Sequence, residues 1–260
     1  MDPYTEVPAL GRESMEYLSH SCLAGLCART FQQQTPYPWV NVPGTLTEQG
    51  YEQLRATLPD ISLFEKHVSM KRAFGQGYQD RFLLHYRPGV PVAAPWQEFI
   101  EELRGPAYHA FIRRMFDLPR GKSIIFTMEW YFAWQGCAVP PHCDARRKLG
   151  THIFYFNTED DWAEDWGGRI LLLDDGGKWH PHTGPGFDDL KTSVSLDPRG
   201  NGSLLFQRTE HSWHGVRPLA CPPDALRKLF IVTINIPTFQ VIWRRLRGKD
   251  PDGYPLRKAA

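Results

Sequence analysis

Paired cysteines and long apolar runs are both missing from this 260-residue sequence. The five cysteines are odd in number and form no CxxC pair, so neither a disulfide framework nor a zinc ribbon is favoured. No apolar run approaches the roughly 18 residues that a membrane span needs. The first residues lack the basic and apolar regions of a signal peptide. Together these absences predict a reduced, soluble, cytoplasmic protein without membrane association.

An excess of one charge is also missing. Thirty Lys and Arg residues face 29 Asp and Glu residues, which gives a formal net charge of +1. Such a balance supplies no broad attraction to nucleic acid or to anionic membranes, so neither is predicted as a partner. A small-molecule substrate is favoured, and a peptidyl substrate stays open. With 42% hydrophobic residues, the chain is able to build one sizeable core.

The character of the chain changes near residue 121. In residues 1–121 apolar side chains recur at helical spacing, which predicts an N-terminal helical region. One of its helices is predicted to begin with a capping box from Thr45 to Glu48. Residues 241–260 predict a basic C-terminal extension. Between them, residues 122–240 contain short segments rich in Ile, Val, Phe, Tyr and Leu and separated by turns, which predict the strands of an antiparallel sandwich or barrel: 123–134, 151–157, 169–173, 203–207, 214–219 and 228–237.

A histidine and an aspartate stand two residues apart in the barrel region. On an extended strand His142 and Asp144 point to the same face, and Cys143 points to the opposite one. An imidazole and a carboxylate side by side make half of a metal site. Downstream, His214 begins the sequence His-Gly-Val-Arg-Pro at the start of a predicted strand. Two histidines and one carboxylate form the facial arrangement of non-haem iron(II) oxygenases.

Five landmarks then follow one another in a characteristic order. They are the His-x-Asp pair, the segment 153–157, the Gly-Gly-Arg-Ile-Leu of 167–171, the His-x-Val-x-Pro at His214, and Arg227 at the start of the last strand. In that order they resemble the prolyl-4-hydroxylase-like branch of the iron(II)- and 2-oxoglutarate-dependent oxygenases, over residues 129–237. The resemblance implies a mainly β protein with a double-stranded β-helix (a cupin-like jelly roll) and flanking helices.

The resemblance also implies roles for individual residues. Iron(II) would be ligated by His142, Asp144 and His214. The distal carboxylate of 2-oxoglutarate would pair with Arg227 and accept a hydrogen bond from Tyr155, and Tyr131 would line the cosubstrate. In this family the loops ahead of the barrel often cover the active site, so Arg72 and Arg81 are predicted substrate contacts; the alternative is an ordinary surface loop.

The activity that the resemblance implies is a dioxygenase reaction. It would use iron(II), 2-oxoglutarate and O2, with ascorbate as an accessory reductant, and would release succinate and CO2. The substrate would be an amino acid, a peptidyl residue or a small metabolite. Related halogenases carry a small residue at the position of Asp144, so a carboxylate there favours hydroxylation, while desaturation and cyclisation stay open.

Several alternatives remain at this stage. Many relatives have Ser or Thr two residues after the arginine, where this chain has Leu229, so Arg217 and Lys228 stay open as carboxylate partners. His211 competes with His214 as the third ligand. His180 and His182 stay open as a second metal-binding pair. His152 lies on a predicted strand and is either a structural histidine or one that faces the pocket.

Two other functional classes also fit a metal-binding barrel. A non-catalytic barrel would be expected to lose a ligand or the cosubstrate arginine, and this sequence loses neither. A cupin-like hydrolase or isomerase would need the metal but not 2-oxoglutarate, and Arg227 and Tyr155 argue against it. Succinate production distinguishes the oxygenase from both.

Overall fold

The computed structural model describes residues 15–70, 76–251 and 253. Its α-helices lie mainly before the barrel, and one follows it. They are α1 (His20–Gly25), α2 (Ala28–Gln32), α3 (Glu48–Ala56), α4 (Ala94–Arg104), α5 (Pro106–Met115) and α6 (Phe239–Leu246). Within the described residues no helix is both long and apolar enough to cross a membrane.

Two antiparallel sheets form the body of the protein. Their strands are β1 (Trp39–Pro43), β2 (Glu65–His67), β3 (Arg81–His85), β4 (Ile125–Ala133), β5 (Val139–His142), β6 (Lys148–Tyr155), β7 (Ile170–Asp174), β8 (Lys191–Leu196), β9 (Gly202–Gln207), β10 (Trp213–Val216) and β11 (Arg227–Asn235). The larger sheet has the order β1-β9-β6-β11-β4-β3-β2, and the smaller has β5-β10-β7-β8. The predicted mainly β jelly-roll fold with flanking helices is confirmed.

The larger sheet extends beyond the predicted barrel. Strands β1, β2 and β3 come from residues 1–121, where the apolar spacing predicted only helices. β1 lies among prolines and ends at Pro43, on the edge of the sheet where a missing N–H is tolerated. So short a strand carries no period-two signal. The division into 1–121, 122–240 and 241–260 stays a prediction.

The start of α3 corrects the predicted capping box. The helix begins after Thr47, whose hydroxyl accepts a hydrogen bond from the Gly50 N–H at 3.1 Å. Thr45 is buried instead, and its hydroxyl donates to the Val42 carbonyl at 2.9 Å. The chain is still extended at Leu46, which bridges to Leu18. A cap at Thr45 is therefore wrong, because the helix cannot start before that bridge ends.

Alternation along β11 separates two apolar layers. Phe230, Val232 and Ile234 face the helices and pack in the cluster that holds the buried stripe of α4. That stripe has the i, i+3, i+4, i+7 spacing of an amphipathic helix and consists of Trp96, Phe99, Ile100 and Leu103. The other set of β11 side chains, which begins at Arg227, faces the space between the two sheets. That space contains the candidate site.

Candidate active site

Two histidines and an aspartate meet on the smaller sheet. His142 ends β5 and His214 lies on β10, directly opposite each other in the antiparallel register. Asp144 follows two residues after the end of β5. One potential ligand atom from each residue lies within 4.8 Å of the others, and all three residues are buried. In the part of the chain that the structure describes, no other group of three such residues is found.

The hydrogen bonds of the two histidines orient both rings. The Nδ1 atom of His142 lies 3.0 Å from the Pro140 carbonyl oxygen, and that of His214 lies 3.0 Å from the Ser212 carbonyl oxygen. A carbonyl only accepts, so each Nδ1 carries the proton and donates. The Nε2 atom of each ring then carries the lone pair, which is the usual tautomer of metal-ligating histidines.

Asp144 is held at both carboxylate oxygens. The Lys148 ammonium donates to Oδ1 at 2.9 Å, and the Thr151 hydroxyl donates to Oδ2 at 2.9 Å. Burial acts to raise the pKa of Asp144, but the nearby positive charge of Lys148 outweighs it and holds that pKa well below its usual range. The carboxylate is therefore ionised at neutral pH and suited to a cation.

A cavity of about 450 Å³ lies between the sheets and joins the three residues to a buried arginine. Arg227 is only 2% exposed, and its Nε–H donates to the Gly168 carbonyl at 2.9 Å. Its Nη2 makes no hydrogen bond to any described residue. Burial lowers the pKa of Arg227 to about 10, so the guanidinium stays charged at neutral pH. A buried guanidinium that pairs with no carboxylate of the described residues indicates an anionic ligand.

Gly168 makes room for this guanidinium. Its φ is +83°, and a Cβ atom there would stand 3.1 Å from Arg227 Cδ and 3.2 Å from Arg227 Nε. Glycine therefore allows both the left-handed backbone and the close approach. This is the structural reason for the second glycine of the Gly-Gly sequence that precedes β7.

The two predicted cosubstrate tyrosines have different surroundings. Tyr131 lines the cavity, and its buried hydroxyl has no hydrogen-bond partner among the described residues. Burial raises the pKa of Tyr131 to about 12, so it remains a neutral donor. The Tyr155 hydroxyl donates instead to Asn41 at 3.0 Å, and Tyr155 does not line the cavity. Tyr155 thus lies near Arg227, but its hydroxyl is engaged by Asn41 on the unpredicted strand β1.

The alternative carboxylate partners lie elsewhere. Lys228 follows Arg227 and therefore points to the other face of β11, where its ammonium donates to Asp161 at 2.7 Å. The Arg217 side chain is 57% exposed and lies 3.8 Å from Asp188. Leu229 lines the cavity. Of the three cations considered as partners of the cosubstrate carboxylate, Arg227 alone lines the cavity.

The remaining histidines of the sequence-based alternatives stand apart from the three-residue group. His211 is exposed and hydrogen bonds to Asp175 at 2.9 Å. His180 and His182 lie in a loop, and no third ligand of the described chain joins them. His152 faces the helices, where it hydrogen bonds to Tyr108 at 2.8 Å and is structural.

The predicted substrate contacts have unequal outcomes. Arg72 lies outside the described residues. Arg81 begins β3 and lines the cavity. Sequence reasoning missed several polar lining residues: Lys148, Thr151, Glu129, His85 and His67. Alternation offered a signal for two of them, because Glu129 shares a face with Tyr131 and Thr151 shares one with Ile153.

Comparison with known proteins supports this geometry. Residues 128–235 match the family model of the 2OG-Fe(II) oxygenase superfamily. None of the curated protein sequences matches the chain.

Three solved structures share the fold. A Pseudomonas putida prolyl-4-hydroxylase is 13% identical and aligns over 80% of this chain and 98% of its own, with a TM-score of 0.56. A Trichoplax adhaerens prolyl hydroxylase, solved with a hypoxia inducible factor peptide, is 16% identical over 84% and 90%, with a TM-score of 0.58. A non-heme alpha-ketoglutarate-dependent carbocyclase from nogalamycin biosynthesis is 12% identical over 92% and 96%, with a TM-score of 0.56.

At such identities the solved structures establish the fold, and the family model adds the enzyme class to it. The predicted resemblance is confirmed: residues 128–235 match the 2OG-Fe(II) oxygenase superfamily, and the chain has the fold of the prolyl-4-hydroxylase-like branch.

Proposed function

We propose that the enzyme hydroxylates an unactivated C–H bond of its substrate, with iron(II) held by His142, Asp144 and His214 and 2-oxoglutarate held by Arg227 and Tyr131. One observation carries the proposal. A group of three buried ligands stands at one end of a cavity, and a buried, incompletely paired guanidinium stands in the same cavity.

The donor set fits iron(II). Two neutral imidazoles and one carboxylate are borderline and hard donors, and grouped on one side of a metal they leave positions for a cosubstrate and dioxygen. Both rings are fixed by backbone carbonyls, and Thr151 fixes the carboxylate. This support orients the ligands before the metal binds.

The other polar atoms fit 2-oxoglutarate. Arg227 presents Nη2 and Tyr131 presents its hydroxyl, and both are buried donors that lack partners among the described residues. A distal carboxylate would accept from both, which removes the cost of two unsatisfied groups. When bound, the iron, 2-oxoglutarate and dioxygen supply the oxidising chemistry, in which 2-oxoglutarate becomes succinate and CO2 as the substrate is oxidised.

The residues of the chain bind, orient and shield. Ile170, Val216 and Leu229 line the cavity with apolar surface, which limits water near the reacting atoms. By the family resemblance, Asp144 occupies the position that carries a small residue in related halogenases, and this supports hydroxylation as the reaction. Ascorbate as an accessory reductant stays a prediction.

Iron-dependent succinate formation tests the proposal. The purified protein receives iron(II), 2-oxoglutarate and air, and succinate is measured against time. We expect succinate from the wild type, and none above background from Asp144→Ala, which removes one ligand. Asp188→Ala is the matched control, because that side chain is 99% exposed. A wild type that binds iron but forms no succinate would leave the cupin-like hydrolase or isomerase as the better reading.

A further inference from the structure

The cations that line the cavity differ in what they contact. The Lys148 ammonium is paired with Asp144 at 2.9 Å. Arg227 is the buried guanidinium of the proposed cosubstrate site. Arg81 also lines the cavity, yet no carboxylate of the described residues lies within ion-pair distance of it. Its Nη1 donates to the Gln79 carbonyl at 2.8 Å, and its guanidinium lies 5.9 Å from the centre of the Tyr131 ring.

A buried histidine stands beside Arg81. His67 is the register partner of Arg81 across β2 and β3, and it is only 7% exposed. Its Nε2 lies 3.7 Å from a Glu65 oxygen, while its Nδ1 is buried and has no hydrogen-bond partner in the described chain. Both Nδ1 of His67 and the guanidinium of Arg81 therefore have capacity for a ligand that enters the cavity.

A carboxylate completes the polar wall on the same inner face. Glu129 lies two residues before Tyr131 on β4, so both side chains face the cavity. Its Oε2 lies 3.1 Å from His85 Nδ1, and its Oε1 bonds to no described residue. Burial acts to raise the pKa of Glu129, but the hydrogen bond from His85 helps to bring it below its usual value.

We propose that the substrate of this oxygenase is a free α-amino acid, whose carboxylate pairs with Arg81 and whose ammonium group faces Glu129. A guanidinium matches a carboxylate through its planar donors. An ammonium group supplies donors that Glu129 Oε1 accepts, and the substrate's polar hydrogens also complement His67 Nδ1. The side chain of the amino acid then extends along the apolar cavity toward the three-residue group.

The opposite charges on this wall discriminate among substrate classes. A peptidyl residue carries neutral amides in place of both charged groups, so it would leave Arg81 without a carboxylate partner and Glu129 with His85 as its hydrogen-bond partner. A purely anionic metabolite would be repelled by Glu129. Only a zwitterion offers a partner to both Arg81 and the second oxygen of Glu129, so the two other classes lose at least one of these contacts.

The inference rests on the proposed function, so its test separates the two. Formation of the visible absorption band of the iron(II)–2-oxoglutarate chelate under anaerobic conditions first establishes the cosubstrate site. The twenty proteinogenic L-amino acids and their α-amides are then titrated calorimetrically into the loaded, anaerobic protein, and succinate release is measured with each in air. We expect at least one free amino acid to bind and to stimulate succinate release, and its amide to do neither.

The variants assign the contacts. Arg81→Gln and Glu129→Gln should each weaken binding of that amino acid roughly 10- to 100-fold, the loss typical of a hydrogen bond to a charged group. Both should keep the dissociation constant of 2-oxoglutarate within about twofold, which also shows that they fold. Arg104→Gln on the outer surface of α4 is the control and should bind the amino acid as the wild type does.

The outcomes distinguish failure of the proposed function from failure of the substrate assignment. Absence of the chelate band overturns the proposed function, and the inference with it. A band without stimulation by any free amino acid, equal stimulation by the amides, or unchanged binding in Arg81→Gln overturns the inference alone.

Discussion

The two buried tyrosines near Arg227 allow one hydroxyl to be compared with another. Tyr131→Phe removes a hydroxyl that lines the cavity and has no partner in the described chain. Tyr155→Phe removes one that donates to Asn41 at 3.0 Å. Both changes delete a single oxygen from a buried ring and create almost no cavity, so any effect reports the hydrogen bond.

Tyr131→Phe should lower the affinity for 2-oxoglutarate, whereas Tyr155→Phe should lower the stability of the protein. A hydrogen bond to a charged carboxylate contributes roughly 1.5–3 kcal/mol, so Tyr131→Phe should weaken 2-oxoglutarate binding about 10- to 100-fold. The free energy of unfolding without ligand should not fall, because no protein hydrogen bond is lost. Tyr155→Phe should lose about 1 kcal/mol of stability and leave Asn41 without this partner, while 2-oxoglutarate binds as before.

Two assays measure these effects. The dissociation constant of 2-oxoglutarate comes from anaerobic titration of the iron(II)-loaded protein, and the free energy of unfolding comes from urea denaturation of the metal-free protein. Wild-type affinity in Tyr131→Phe, or a larger affinity loss in Tyr155→Phe, would refute the assignment and restore Tyr155 as the carboxylate donor.

Three further variants test the support around the site. Gly168→Ala places a Cβ atom on a backbone with a φ of +83°, 3.2 Å from Arg227 Nε, so the affinity for 2-oxoglutarate and the stability should both fall. Wild-type affinity and stability in this variant would contradict the packing argument. Lys148→Gln removes a positive charge 2.9 Å from Asp144 Oδ1, so the affinity for iron(II) should rise about tenfold or more. An anaerobic competition titration measures it, and a loss of affinity would show that Lys148 supports the ligand instead. His152 has its pKa lowered from 6.5 to about 3 because burial disfavours its charged form. Between those values only the unfolded chain binds the proton, so lowering the pH from 6.5 to 5 should cost about 2 kcal/mol of unfolding free energy in urea denaturation, and His152→Phe should lack that loss.

The part of the fold that was predictable from sequence has strong periodic signals. Strands β4, β6, β7, β9, β10 and β11 each fall within or close to a predicted apolar segment. Strands β1, β2, β3, β5 and β8 were not predicted. β1 and β3, for example, obtain their hydrogen bonds from β9 and β4, which lie far along the chain. Pairing of this kind is a tertiary effect that local propensity does not contain.

The same limit applies to the site. His142, Asp144 and His214 follow from spacing and order, and the structure brings all three together. The Tyr155 hydroxyl could not be placed from sequence, since its partner Asn41 lies on the unpredicted β1. The lining residues His67, Arg81 and His85 could not be grouped with Glu129 either, because β2 pairs with β3, and β3 with β4, only in the folded sheet.

We propose that one chain binds one iron(II) through His142, Asp144 and His214 and that this iron then chelates 2-oxoglutarate. Anaerobic titration of 2-oxoglutarate into the iron-loaded protein, followed by the visible absorption band of the chelate, tests it most directly. Two neighbouring histidines provide matched variants, because His211 is exposed and bonded to Asp175, whereas His214 is buried with the other ligands. The band should form in the wild type and in His211→Ala and should be lost in His214→Ala. A band that survives in His214→Ala but vanishes in His211→Ala, or no band in the iron-loaded wild type, would contradict the account.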